Sequence, residues 1–323
     1  MSKRIENILI IRLGALGDLV FCFQAFHEIR KAHPHAKIAL LTRAPYAEMA
    51  RHLPWFDQII IDTHPRFTQI KAWMQLVQKI HAFAPTRVYD LQGKARQTIL
   101  YALLGGPLGV EWSGAAPLCR FKRPKLYKGG PPQGMHFTGF LAAQLCQASV
   151  PQLAPADISW FDLGVEKFSL PERYVVLVPG SSPGAPHKRW PPQKFAEIAN
   201  FLQDQNVGCV AVGTKADLDV CNKIKILAPH LINLCEQTSL LELAGILRRS
   251  LGVIGNDTGP THLAAALGAP TLALFSGRSN PIWSKPPGKE VIVLQKPELS
   301  HLTTNEVVVA FNRLKEKTGP RDE

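Results

Sequence analysis

Residues 251–275 constrain the fold more tightly than any other part of the chain. Leu251-Gly-Val-Ile-Gly-Asn256 is a short apolar run, Asp257-Thr-Gly-Pro260 a tight polar turn, and Thr261-His-Leu-Ala-Ala-Ala-Leu267 a helical continuation. Pro270-Thr-Leu-Ala-Leu-Phe275 follows at once as a second strand, and a strand, a helix and a strand in so few residues imply parallel pairing. Gly259 permits the turn and Pro260 suits the first helical position. Asp257, Thr258 and His262 crowd the opening of the helix. The first N–H groups of a helix lack intrahelical partners and its N-terminus carries partial positive charge, so such a turn attracts phosphate. In open parallel sheets, ligands bind beyond the carboxyl ends of the strands. The segment therefore predicts one wall of a nucleotide-diphosphate site.

The same alternation runs through the whole chain. In the first half, strands are expected at Asn7–Leu13, Lys37–Thr42, Asp57–Asp62 and Arg87–Leu91. Helical patterns lie between them at about Asp18–Ala32 and Phe67–Phe83. The continuous apolar run Asn7-Ile-Leu-Ile-Ile-Arg-Leu13 suits a strand covered on both faces. The stretch from Gly105 to Gly134 is rich in Gly and Pro and reads as a long surface loop, before a helix at Met135–Ala148 and a linker at Pro151–Pro171. The second half restarts with strands at Tyr174–Val178, Val207–Val212 and Leu231–Leu234, and helices at Pro192–Asp204, Ala216–Leu227 and Leu240–Arg249. This map predicts an α/β protein of two doubly wound domains, 1–165 and 166–323, with a last helix near Asn305–Lys315 that packs back on the first domain.

Composition narrows the partners. The 323 residues carry a formal charge of +12, which favours anionic ligands or surfaces. Nucleic acid is not the expected partner, because no RNA- or DNA-binding module is recognisable. No apolar run approaches the roughly 18 residues of a membrane span. The start Met1-Ser-Lys-Arg-Ile-Glu-Asn7 leads directly into a strand without a signal-peptide pattern, so a cytoplasmic location is expected. The six cysteines, at 22, 119, 146, 209, 221 and 235, form no C-x-x-C pair and read as buried thiols rather than a metal site.

Four loops carry candidate chemistry, each directly after an expected strand. In Arg12-Leu-Gly-Ala-Leu-Gly-Asp18, Gly14 and Gly17 keep the backbone accessible, and Asp18 is either a helix N-cap or a carboxylate able to take a proton from a hydroxyl. The spacing is not G-x-G-x-x-G, which disfavours a nicotinamide-dependent oxidoreductase. In Pro179-Gly-Ser-Ser-Pro-Gly-Ala-Pro-His-Lys-Arg-Trp190, the small residues Ser181 and Ser182 leave room for a ligand, and Lys188 and Arg189 supply cations for a departing diphosphate. In Gly213-Thr-Lys-Ala-Asp217, Asp217 is placed to accept from a ribose hydroxyl; Asp217 and Asp219 point apart on a helix, which argues against a metal pair. The fourth loop is the turn Asp257–His262.

Together these loops resemble glycosyltransferase family 9, the ADP-heptose:lipopolysaccharide heptosyltransferases. The match rests on Ile10-Ile-Arg-Leu-Gly-Ala-Leu-Gly-Asp18, Asp90-Leu-Gln-Gly93, Pro179-Gly-Ser-Ser182, Lys188-Arg-Trp-Pro191 and Asn256-Asp-Thr-Gly-Pro-Thr-His-Leu-Ala-Ala-Ala266, which stand in family order. The resemblance implies a GT-B fold, two Rossmann-like domains facing across a cleft, with the nucleotide sugar held by the second and the acceptor by the first. It implies inverting transfer of heptose to the inner lipopolysaccharide core, with no metal and no cofactor, ADP-heptose being a substrate. Asp18 then resembles the general base and Lys188 the residue that stabilises the leaving diphosphate. Ser181, Ser182, Gly213, Asp217, Asp257, Thr258, Gly259 and His262 correspond to the donor site, although the family often has glutamate where this chain has Asp217.

The acidic core sugars and phosphates of such an acceptor give the positive charge a partner. Gly14, Gln92, Lys94, Arg96, Arg120 and Arg123 are the acceptor-side candidates, and the basic run Arg120–Lys128 suits either those anions or the anionic surface of the inner membrane. The protein is expected to be peripheral on the cytoplasmic face of that membrane. A different nucleotide sugar, a non-lipopolysaccharide acceptor, or an inert ADP-binding protein are the alternatives; the presence of both Asp18 and Lys188 counts against the last.

Overall fold

The computed structural model describes residues 6–125, 134–151, 156, 158, 161, 164–182 and 184–318. The chain divides into two compact units, Met1–Ala156 and Asp157–Glu323, where the sequence suggested a boundary at 165/166.

The first unit contains six strands: β1 (Asn7–Ile11), β2 (Lys37–Thr42), β3 (Gln58–Ile61), β4 (Arg87–Asp90), β5 (Glu111–Gly114) and β6 (Phe121–Lys122). The second contains β7 (Tyr174–Val178), β8 (Gly208–Ala211), β9 (Ile232–Asn233), β10 (Gly252–Asn256), β11 (Thr271–Ser276) and β12 (Val291–Lys296). Their spatial orders are β3-β2-β1-β4-β5-β6 and β9-β8-β7-β10-β11-β12, so the second sheet repeats the topology of the first. Every pairing is parallel. Apolar runs on central strands make this possible: Ile8 through Ile11 and Val175 through Val178 are essentially inaccessible to solvent. In each unit the strand order reverses once, between β1 and β4 and between β7 and β10. The crossovers leave that point on opposite faces, and the gap between the two loops there is the natural ligand site.

The helices from Leu240 to Arg249 and from Pro192 to Gln203 follow the sequence expectation closely, and the helices Ile70–Phe83 and Phe137–Gln147 begin two or three residues late. The pattern at Asp18–Ala32 is in fact two helices, Leu16–Val20 and Phe23–Ala32. Cys22 N–H donates to Leu19 O, an i→i−3 bond that tightens and splits the segment.

The stretch expected as a loop at 105–134 instead carries β5 and β6, which extend the first sheet. Trp112 on β5 is fully buried, edge-on to Tyr101 with centroids 5.3 Å apart. Lys128 of the basic run lies outside the described residues. β12 and the helices Ala44–His52 and Ala95–Leu103 had no clear signal either. The last helix, Thr304–Thr318, starts and ends close to expectation but is built into the second unit, where Val307, Ala310, Phe311 and Leu314 join the core with Trp190 and Phe195.

At the reversal point of the first unit, Asp90 ends β4 and its buried Oδ1 accepts from the backbone N–H groups of Gln92 (3.0 Å) and Gly93 (2.8 Å). Gly93 adopts φ +61°, a conformation that favours glycine, and the Arg123 guanidinium packs where a Cβ would stand. The turned loop sends the Gln92 side chain across to β1, where Oε1 accepts from Leu13 N–H at 3.0 Å. Buried Gln144 braces the same loop by donating to Asp90 O and Ser113 O.

Burial pushes the Asp90 carboxyl up to about 6, against the lowering effect of the Gly93 amide and the Arg123 charge. A carboxyl whose folded pKa exceeds its unfolded one stabilises the fold fully only below about pH 4, and that contribution is lost as pH rises through 6. Asp90→Asn keeps an acceptor for both amides. It should exceed the native protein in stability by up to about 3 kcal/mol at pH 7–8, the difference vanishing towards pH 4. Urea unfolding between pH 4 and 8 measures this; a difference independent of pH would contradict it.

Candidate active site

The second unit gathers its candidate residues around one carboxylate. Asp257 lies just beyond β10 and is 6% exposed. Its Oδ2 takes Lys188 Nζ at 2.6 Å and the Ser279 hydroxyl at 2.7 Å, and its Oδ1 faces His262 Nε2 at 3.1 Å. Burial alone would raise this carboxyl; hydrogen bonds and charge from His262 and Lys188 outweigh it and hold the pKa at about 2. Three separate segments thus meet on one anion. Lys188 comes from the loop after β7, His262 from the helix Gly259–Ala266, and Ser279 from the loop after β11.

Helix Gly259–Ala266 opens beside this group. Thr258 is its N-cap, with extended backbone and no side-chain capping bond; Gly259 is the first helical residue and Pro260 the second. The helix therefore starts one residue earlier than Pro260 suggested. Thr258 and Gly259 are partly exposed, so the first-turn amides present a positive end to solvent.

Asn256, fully buried, holds the pieces together. Its Nδ2 donates to Pro179 O (2.8 Å) and Gly180 O (3.3 Å), its Oδ1 accepts from Trp190 N–H (3.1 Å), and its carbonyl accepts from the Thr261 hydroxyl (2.7 Å). Gly255 is required beside it: a Cβ there would stand 2.3 Å from Thr261 Oγ1 and 2.7 Å from Val178 Cβ. Trp190 is buried edge-on to Phe195 and donates from Nε1 to Leu302 O, which anchors the C-terminal end of the loop that carries Lys188.

The remaining donor-side residues divide. The Ser181 hydroxyl donates to Ala185 O and accepts from Arg189 Nε, both at 3.0 Å, so it organises the loop. Ser182 is exposed, and its carbonyl accepts from Ala185 N–H. Asp217 is 6% exposed and works chiefly as a local cap: Oδ2 accepts from Thr214 N–H and from the Thr214 hydroxyl, while Oδ1 lies 3.6 Å from Arg189 Nη2. Gly213 and Gly180 are the close-packing partners of this side chain. A Cβ on either would fall within 2.8 Å of Asp217 atoms. Ser279 and Asn256 were not among the residues expected to act; Asn256 sat inside a recognised motif, but nothing in the sequence tied Ser279 to Asp257.

The first unit has its own pocket, of about 720 Å³, beyond the carboxyl ends of β1 and β4. Gly14, Asp18, Gln92, Lys94 and Arg96 from the sequence line it together. Asp18 is the third residue of the helix Leu16–Val20; the N-cap is Ala15, whose carbonyl accepts from Leu19 N–H, so Asp18 is not the cap. Its side chain is 48% exposed, with Oδ1 3.1 Å from Arg12 Nη2. Gly14 makes room for it, since a Cβ there would lie 2.4 Å from Asp18 Oδ2. Arg12 is only 4% exposed, donates to Leu91 O and lies over the Phe137 ring at 5.2 Å.

Asp18 is the only acidic residue among those lining the pocket, whose other charged members are Arg43, Arg66, Lys94 and Arg96, with His64 beside them. Arg43, Tyr46, His64 and Arg66 went unnoticed in the sequence, lying on elements with no motif. Arg96 lines the pocket with its guanidinium committed within the protein. It grips Asp62 with Nε and Nη2, donates to Pro65 O and stacks 4.2 Å above Trp73. Arg120 and Arg123 do not line the pocket: Arg120 pairs with Glu111, and Arg123 donates to Gly93 O and packs over Phe140.

The family model described as glycosyltransferase family 9 (heptosyltransferase) matches residues 73–311. Lipooligosaccharide heptosyltransferase 2 of Haemophilus ducreyi is 23% identical over 311 residues, covering 90% of this chain and 88% of that protein. The structure of E. coli ADP-heptose lps heptosyltransferase II superposes with a TM-score of 0.77 at 20% identity, over 97% of this chain and 99% of that one. A glycosyl transferase family 9 structure from Veillonella parvula gives 0.78 at 21% identity, over 98% and 99%. The fold is therefore that of these GT-B proteins, two Rossmann-like units of matching strand order. With the family model spanning both units and the Lys188–Asp257–His262 group set beside a helix N-terminus, the chain belongs to glycosyltransferase family 9, the heptosyltransferases.

Proposed function

We propose that the protein transfers heptose from ADP-heptose to the inner core of lipopolysaccharide, in one displacement that inverts the anomeric carbon and uses no metal. The observation that carries this reading is the joining of Lys188, His262 and the first turn of Gly259–Ala266 around Asp257. An ammonium and a helix N-terminus at one sheet edge are what a departing diphosphate needs. Lys188 can exchange Asp257 for a phosphate oxygen without a large movement. Asp257 would then keep the hydrogen bonds of Ser279 and His262, so its buried charge stays compensated. Ser181, Ser182, Gly213 and Asp217 belong to the same donor side in this reading, Ser181, Gly213 and Asp217 through loop shape more than through direct bonds.

The acceptor belongs to the first unit. Asp18 is a half-exposed carboxylate in a pocket otherwise lined by cations, which suits a base acting on a hydroxyl of an anionic sugar. Arg12 fixes the carboxylate's orientation from beneath. As the glycosidic bond to diphosphate breaks, charge builds on ADP and Lys188 offsets it, while Asp18 takes the proton of the incoming hydroxyl. Single displacement needs no second carboxylate as nucleophile. Gln92, Lys94 and the exposed Arg43 and Arg66 would hold the acceptor's acidic groups. No described helix is long and apolar enough to cross a membrane. The proposal places the enzyme peripherally at the cytoplasmic face of the inner membrane, where its lipid-anchored acceptor lies.

Incubation with ADP-heptose and Kdo-lipid A should add one or more heptose masses by mass spectrometry; unchanged acceptor mass would refute the substrate pair. Proton couplings of the product should show the anomeric configuration opposite to the donor's, and excess EDTA should leave the rate unchanged. Asp18→Asn should lower kcat by about 10²–10⁴-fold with little change in donor affinity. Lys188→Ala should cost about 10²–10³-fold in kcat/KM for the donor. It should also lower stability by about 1–3 kcal/mol, because buried Asp257 loses a donor. Near-native turnover by Asp18→Asn would remove the base assignment.

A further inference from the structure

The cationic pocket of the first unit continues onto an exposed apolar surface that the transfer reaction does not use. Phe67, Ile70 and Met74 are 67%, 69% and 66% exposed. Phe67 lines the pocket rim; Ile70 and Met74, one helical turn apart, follow it along the helix Ile70–Phe83. The opposite face of that helix is fully engaged, with Trp73, Leu76, Ile80 and Phe83 buried. The exposed apolar side chains are therefore not needed to hold the helix on the sheet.

The segment that carries them is one-sided in charge. From Thr63 to Tyr89 the sequence contains no Asp or Glu, while Arg66, Lys71, Lys79 and Arg87 fall within it. Arg66, Lys71 and Lys79 are exposed. A second copy of the chain is a poor occupant, since a self-complementary contact would set these cations against their own kind. Exposed apolar groups flanked by lysine and arginine, on a helix whose other face is buried, match the chemistry of an anionic bilayer surface: the apolar groups enter the headgroup region and the cations meet acidic lipids.

We propose that this face, Ile70 and Met74 with Lys71 beside them, docks the enzyme on an anionic lipid bilayer with the pocket mouth against the headgroups. The assignment of the pocket to a lipid-anchored sugar rests on the function proposed above; the docking itself does not. Phe67 and Arg66 belong to both surfaces, so an acceptor whose lipid remains in the bilayer reaches the pocket without leaving the membrane.

The test is flotation of the full chain with phosphatidylcholine vesicles and with phosphatidylcholine–phosphatidylglycerol vesicles. The native protein should float with the anionic vesicles, less so as salt rises. Ile70→Ser/Met74→Ser and Lys71→Glu should each weaken partitioning by about tenfold or more. Circular dichroism and thermal melting should be unchanged, because all three side chains are on the surface. Transfer to vesicle-embedded acceptor should fall for both variants, whereas transfer to a de-acylated, soluble acceptor should stay at the native rate. Equal binding to neutral and anionic vesicles, native-like flotation of both variants, or a dimer in sedimentation that Ile70→Ser/Met74→Ser dissolves would overturn the proposal. Vesicle binding through this face with no heptose transfer to either acceptor would instead refute the proposed function and leave the docking surface standing.

Discussion

In each unit one carboxamide spans the gap where the strand order reverses, and both candidate sites depend on these two bridges. Gln92 crosses from the loop after β4 to Leu13 after β1, and Asn256 crosses from β10 to Pro179 and Gly180 after β7. Parallel strands force their crossovers over the faces of the sheet, so the reversal leaves two neighbouring loops diverging from each other. Backbone groups at that divergence have no ladder partner, and a buried unpaired amide or carbonyl is costly. A side-chain amide can donate and accept, and it reaches across without closing the gap. It satisfies the backbone while keeping the loops apart enough for a ligand.

The charged groups are arranged on top of this frame in two different ways. In the second unit an anion is the hub: Asp257 is buried and collects a lysine and a serine from two loops and a histidine from a helix, so the cation needed by a diphosphate is held ready without crowding the site. In the first unit a cation is the support. Arg12 is buried just beyond the end of β1, held by Leu91 O and the Phe137 ring, and turns one face to Asp18. Removing the more exposed partner, Lys188 or Asp18, leaves a desolvated charge on Asp257 or Arg12, so geometry and stability are coupled in both sites. Asp90 is the counterpart that pays: its carboxyl is buried against its ionisation, and two backbone amides and the nearby Arg123 offset only part of that.

Much of the fold was legible because central parallel strands are buried on both faces and must be continuously apolar. That is why β1, β2, β7 and β10 could be placed to within a residue or two. The strands β5, β6 and β12, at or next to a sheet edge, were not legible. They are short or half-exposed, and in Glu111–Gly114 and Phe121–Lys122 the alternation is masked by glycine, proline and basic residues. Their pairing depends on a neighbouring strand already in place. The candidate site shows the same division. Asp18, Lys188, Asp257 and His262 stood in loops whose spacing carried a signal, whereas Ser279, Arg43, His64 and Arg66 arrive from loops distant in sequence. Arg96 lines the pocket as a basic residue beside a motif suggests, but only packing revealed that its guanidinium is committed to Asp62 beneath it.

The sequence by itself determined the class of fold, the repeated strand-loop-helix units and the family, because apolar periodicity and the spacing of glycine, proline and polar residues within a turn are local properties. Tertiary structure alone decided which side chains share a site: that Asp257 is a hub and not simply a helix-start residue, that Asp217 caps its own turn, and that Ile70 and Met74 are left outside the core. These outcomes follow from contacts between residues tens of positions apart, where burial sets the strength of each charge and the crossing of loops at the reversal point sets which partners it meets.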